Sequence, residues 1–148
     1  MKVDVLSAIV INRPSSEVSR YAADPENAPR WYSNIKSVEW ITSRPAQVGS
    51  RISFVASFLG RRLAYTYEIV EFIPGVRLVM RTSEGPFPME TTYTWESRAD
   101  GTTRMTLRNR GMPSGFSAWL APVMAPAIRR ANRKDLALLK KRLEAGHV

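Results

Sequence analysis

The sequence predicts an α+β fold in which a seven-stranded antiparallel sheet is covered on one face by a long C-terminal helix. Three observations carry this. Six runs from Ile35 onward are rich in Val, Ile, Thr, Tyr, Phe and Trp, and one alternating run precedes them at the N-terminus. The separators are short and contain glycine or proline, which makes successive strands antiparallel hairpin partners. Finally, "PAIRRANRKDLALLKKRLE" is the one long stretch of helical periodicity, and a sheet with one apolar face has to be covered by something.

The elements follow in order. "MKVDVLSAIVINRPSS" carries one lysine and Asp4 within an alternating run, so it fits a strand better than a signal peptide. Pro14 stops that strand. In "RPSSEVSRYAADPENAPRWY", Ser15 or Ser16 can cap a helix, and Val18, Tyr21 and Ala22 recur at helical spacing. Asp24-Pro25 divides the stretch into two short helices, the second ending at "APRWY". The strands then read "IKSVEWITSRP", "SRISFVASFLG", "RRLAYTYEIVEF", "RLVMRTS", "METTYTWES" and "TRMTLRNRG". Between them stand "PAQVGS", "LGRR", "IPGV", "EGPFP" and "ADGT", with Asp100-Gly101 a strong hairpin signal.

Alternation along the strands sorts the side chains by face. Ile52, Phe54, Ala56 and Phe58 share one face, as do Leu78, Met80 and Thr82. Met89, Thr91, Tyr93 and Trp95 form the next inward set, followed by Met105, Leu107 and Asn109. Outward residues include Glu90 and Glu96 on one strand and Arg104, Arg108 and Arg110 on its neighbour, placed to pair across the hairpin. The run Leu63 to Phe72 offers two apolar sets, Tyr65, Tyr67 and Ile69 or Ala64, Val70 and Phe72, and the tyrosine face is taken as inward.

On the last helix, expected from Pro126, residues Met124, Ala127, Ile128, Ala131, Leu138 and Leu139 fall on one side. Arg129, Arg130, Arg133, Lys134, Lys140 and Lys141 fall on the other. Residues 116–124, with Pro122, read as a separate apolar approach. Asp135 projects into the apolar arc, where an unpaired carboxylate is costly. It is either bonded at the boundary between helix and sheet or a polar group in a ligand cavity.

The composition narrows function by exclusion. The 148 residues suit a single domain, and 22 basic against 13 acidic residues give a net charge of +9. That charge favours anionic partners without specifying a fold. With no cysteine and one histidine, His147, there is no thiolate chemistry and little support for a transition-metal site. No phosphate-loop pattern or G-x-S-x-G elbow occurs. No apolar run approaches the roughly 18 residues of a membrane span, so a cytoplasmic location is expected, with no cofactor and no metal.

Taken together, "VINRPSSEVSRYAADPENAPRWYSNIKSVEW", "VGSR", "YTYEIVEFIPGVRLVMRT", "PFPMETTYTWES", "DGTTRMTLRNRGMPSGF" and "KDLALLKKRLE" resemble the polyketide cyclase/dehydrase-like branch of the START-related, helix-grip superfamily. The resemblance implies a curved sheet wrapped around the C-terminal helix, with an apolar cavity between them. Its walls would be Phe54, Tyr65, Tyr67, Met80, Met89, Tyr93, Trp95, Met105, Leu107 and Asn109, with Met124, Ile128 and Asp135 from the helix and Phe116, Trp119 and Leu120 at the mouth.

A hydrophobic or amphipathic small molecule, such as a lipid, quinone or polyketide-like compound, is the partner this cavity implies. An alternative is cyclase or dehydratase chemistry in which cavity tyrosines and a carboxylate act as hydrogen-bond donors and acid–base groups. A third reading gives the basic helix face a role in meeting anionic membrane, RNA or acidic protein. No DNA partner is expected, and the chain is expected to be a monomer or homodimer.

Overall fold

A computed structural model describes residues 3–58, 60–85, 88–112 and 121–146. Strand β1 (Val3–Ile11) leads into helix α1 (Ser15–Ala22), a 3-10 turn (Pro25–Asn27) and helix α2 (Ala28–Trp31). Six strands follow, β2 (Ile35–Trp40), β3 (Arg51–Phe58), β4 (Arg61–Ile73), β5 (Arg77–Glu84), β6 (Met89–Ser97) and β7 (Thr103–Gly111), and then helix α3 (Ala121–Glu144). The sheet order is β1-β7-β6-β5-β4-β3-β2. Successive hairpins lay β2 to β7 side by side, and β1 closes the series by pairing with β7. The two short helices therefore carry the chain from one sheet edge to the other. This is the curved antiparallel sheet and long C-terminal helix of the helix-grip fold.

Helix α3 lies along β1 and runs the same way. Near its start, Met124 and Ile128 pack with Val3 and Val5. Toward its end, Leu136, Leu139 and Leu143 join Ile11, Met105 and Leu107 in the main core. Each of these fully buried side chains contributes about 1.5–3 kcal/mol through burial. Polar bonds lock the same end: Lys140 Nζ donates to the Val10 carbonyl at 2.8 Å, and the Asn12 N–H to Glu144 Oε2 at 2.8 Å. Arg13 Nη2 donates to the Glu144 carbonyl at 2.7 Å.

The helix differs from expectation in two respects. It begins at Ala121, so Pro126 lies inside it, where its ring denies the Pro122 carbonyl its usual partner. Its buried stripe is Met124, Ile128, Asn132, Asp135, Leu136, Leu139 and Leu143, whereas Ala127 and Leu138 are half-buried. The reading by apolar residues alone overlooked Asn132 because it is polar, although it stands four residues from both Ile128 and Leu136. Arg129, Arg130, Arg133, Lys134 and Lys141 are exposed.

Two local features also depart from the sequence reading. Neither serine caps α1: Pro14 occupies the cap position, and Ser15 Oγ instead pairs with Ser97 Oγ at 2.7 Å. In β4 a bulge falls between Ile69 and Glu71, so Ile69 faces Met80 while Phe72 faces Leu78. The inserted residue changes the alternation phase. Tyr67, Ile69 and Phe72 can thereby all join the core, although strict alternation would separate them.

On the opposite face Glu90 and Arg110 pair as the hairpin register suggests, whereas no ion pair joins Glu96 and Arg104 among the described residues. Glu90 meets Arg81 at 2.7 Å and Arg110 at 3.6 Å, and Asp4 meets Arg108 at 2.6 Å. These are exposed pairs worth at most about 1 kcal/mol each.

Candidate functional site

Between the sheet, α2 and the first half of α3 lies a cavity of about 160 Å³. It exists because the core is filled unevenly along α3. Where Leu136, Leu139 and Leu143 descend, the interior is solid. Nearer the helix start the side chains facing the sheet are Ile128, Ala131 and Asn132, and the space beneath them is left open.

Of the residues singled out from sequence, Phe54 of β3, Tyr65 and Tyr67 of β4 and Met80 of β5 line this space. So do Met89 and Tyr93 of β6, Asn109 of β7, and Met124, Ile128 and Asp135 of α3. Trp95, Met105 and Leu107 do not. They face inward but are 4%, 0% and 0% exposed within the solid half of the core, covered by the leucines of α3. Phe116, Trp119 and Leu120 lie outside the described residues, as do Phe58's side chain and His147. The structure adds Tyr32 of the α2–β2 connection, Thr91 of β6 and Asn132 of α3 to the lining. Thr91 was readable as inward, whereas nothing in the local pattern around Tyr32 announces its position.

The aromatic wall is continuous. Tyr65 and Tyr67 lie 6.0 Å apart, and Phe54 meets Tyr67 edge-on at 5.8 Å. These separations are favourable for aromatic pairs. Gly85 matters to Tyr65, since a Cβ there would fall 2.5 Å from the ring's Cδ1. The bare backbone at that point leaves the ring its place.

Two polar clusters interrupt the apolar lining. In the first, the Tyr32 and Tyr93 hydroxyls share a hydrogen bond of 2.6 Å, and Asp135 lies within electrostatic reach of both. Asp135 accepts from the Ser33 N–H at 3.1 Å and from Ser33 Oγ–H at 3.2 Å. It is thus bonded at the α2–β2 connection and also lines the cavity. Burial pushes its carboxyl up to about 6, against the opposing pull of the Ser33 bonds and the Lys134 ammonium. Burial likewise raises the Tyr93 and Tyr32 hydroxyls well above their ordinary value, which keeps them neutral and able to donate.

The second cluster crosses from sheet to helix. Thr91 Oγ1 donates to Asn109 Oδ1 at 2.7 Å, and Asn109 Nδ2 donates to Asn132 Oδ1 at 3.1 Å. Thr91 and Asn109 are direct partners in the register of β6 and β7. Tyr67 adjoins this chain through Thr91, and burial raises its hydroxyl to about 12. A separate groove of about 540 Å³ lies beyond the Ala23–Pro25 segment, bordered by Trp40, Phe72 and an Arg44–Glu26 ion pair. Its border carries the exposed charges of Arg44 and Glu26.

A family model described as polyketide cyclase/dehydrase and lipid transport matches residues 2–144. The chain belongs to this family. No curated protein matches the sequence. Among solved structures, a protein from Thermus thermophilus is similar with a TM-score of 0.83 and 21% identity, covering 98% of this chain and 99% of that one. The Zhui aromatase/cyclase from a Streptomyces species is similar with a TM-score of 0.82 and 14% identity over 97% of this chain and 94% of its own. A major latex-like protein from Panax ginseng reaches a TM-score of 0.75 at 15% identity, covering 99% and 98%. At these identities the likeness concerns the fold, which in this family hosts more than one kind of activity. Among the described residues no helix is long and apolar enough to cross a membrane.

Proposed function

We propose that the chain binds a hydrophobic or amphipathic small molecule between the sheet and α3. The observation that carries this reading is the cavity itself, lined mainly by apolar and aromatic side chains with a few buried polar groups. Its volume limits the part of a ligand that it holds. An apolar cavity of roughly 150 Å³ holds one benzene, so the space found here takes a single ring or a short chain, with any longer portion of the ligand extending out of it.

Filling the cavity tests the reading. Ala131 lines it from α3 and is half-buried. Ala131→Phe should weaken binding of small apolar probes such as toluene at least tenfold in an NMR titration, at an overpacking cost of about 1–3 kcal/mol. Undiminished toluene binding by the variant would place the ligand elsewhere.

A second reading, cyclase or dehydratase chemistry, is favoured by the Tyr32–Tyr93 pair beside Asp135. A neutral hydroxyl can donate to a carbonyl oxygen, and a carboxyl held near 6 can exchange a proton at neutral pH. On this reading Tyr93→Phe should lower turnover of a polyketide-like substrate about a hundredfold while probe binding persists. Equal loss of both would make Tyr93 a packing residue only.

A further inference from the structure

Asn132 is anomalous in its position. It sits in the buried stripe of α3 between Ile128 and Leu136, is 3% exposed, and is a poorer helix former than the leucine that would fit the pattern. Its Oδ1 is satisfied by Asn109 Nδ2, which is itself fixed by Thr91. Its Nδ2 has no partner. Of the seven buried side-chain polar atoms without a partner among the described residues, this one alone belongs to a residue lining the cavity. A buried amide N–H left without an acceptor carries the full cost of its lost hydration.

The hydrogen-bond chain gives that cost a purpose. Thr91 aims Asn109, and Asn109 aims Asn132, so the terminal N–H group is held in one orientation before any ligand arrives. The geometry points to Asn132 Nδ2 as the group that recognises an oxygen acceptor on the ligand, a carbonyl or ether-like oxygen, through a donor preorganised by Asn109 and Thr91. This rests on the cavity being the binding site, and it sharpens the ligand class from merely apolar to a small apolar body bearing an oxygen acceptor. The role differs from that proposed for Tyr93 and Asp135, because it acts in binding and requires no proton transfer.

The test compares cyclohexanone with methylcyclohexane, which match in size and shape and differ in the acceptor oxygen. Dissociation constants are measured by NMR titration for the wild type, Asn132→Leu and the double variant Asn109→Leu/Asn132→Leu. The double variant replaces both amides with apolar groups of similar volume, a change that folded cores tolerate. For cyclohexanone, both variants should bind about tenfold more weakly than wild type, the worth of one hydrogen bond. For methylcyclohexane, affinity should be unchanged or higher.

If Asn132→Leu weakens both probes equally, or weakens neither, Asn132 does not read an oxygen. If only the double variant discriminates, Asn109 is the reader, and the assignment to Asn132 fails. Should the wild type bind neither probe, the cavity reading fails as well, which separates the two conclusions.

Discussion

Replacing Trp31 with alanine should cost about 3–5 kcal/mol, the range for deleting a fully buried large aromatic side chain. Helix α2 has four residues, too few to hold itself by its own hydrogen bonds. Trp31 is 0% exposed and lies 4.2 Å from Tyr32 and 5.7 Å from Tyr93, so it pins the helix against the sheet and supports the tyrosine pair. Urea unfolding would measure the loss, and Trp31→Phe should retain more than half of the lost stability. A loss below about 1 kcal/mol for Trp31→Ala would show that α2 is anchored by something else. Because Tyr32 follows Trp31 directly, toluene binding should weaken in the alanine variant even at temperatures where it is folded.

The second large effect concerns pH. Asp135 has its carboxyl raised to about 6 by burial, from an ordinary value of 3.8. The folded state therefore holds this proton more tightly than the unfolded chain does. Stability from the neutral carboxyl is fully present below about pH 3.8 and is lost as pH rises through about 6. The gap is worth roughly 2–3 kcal/mol. Asp135→Asn keeps an oxygen acceptor for Ser33 and removes the titration. The variant should equal the wild type near pH 4 and exceed it by about 2 kcal/mol at pH 7.5, read as the difference in urea midpoints. Parallel pH profiles for the two proteins would mean that Asp135 is ionised at little cost. The comparison cancels the general effect of the chain's +9 charge, which both proteins nearly share.

The sheet was readable because its hairpins are local. Turn residues at short spacing and alternating side chains determine strand pairing without distant information, and β6 and β7 pair as their alternation suggests. The β4 bulge was not readable as such, since one inserted residue leaves two apolar sets that look like rival faces. The site was legible where the cue was hydrophobicity: Phe54, Met80 and Ile128 face the cavity because strand and helix phase put them there.

Legibility stopped where packing depends on which side chains fill the space. Nothing along β7 distinguishes Leu107, sealed by α3, from Asn109 two residues later at the cavity, because the difference is made by residues of the helix that cover each one. Asn132 was hidden for a related reason. A polar residue in an apolar stripe becomes informative only once its partners are seen.

The two ends of α3 are held by unlike means. Around Glu144 the helix is fastened by three polar bonds to the end of β1 and its following turn, over leucines that are 0–1% exposed. Around Met124 and Ile128 it rests on side-chain contacts alone among the described residues and contains Pro126, which breaks the regular backbone ladder. Between the two ends, Asn132 and Asp135 tie the cavity roof to β7 and to the α2–β2 connection through Asn109 and Ser33. The residues of α3 that shape the cavity and those that close the leucine layer occupy successive turns of one helix, so substitutions can change ligand capacity and stability separately.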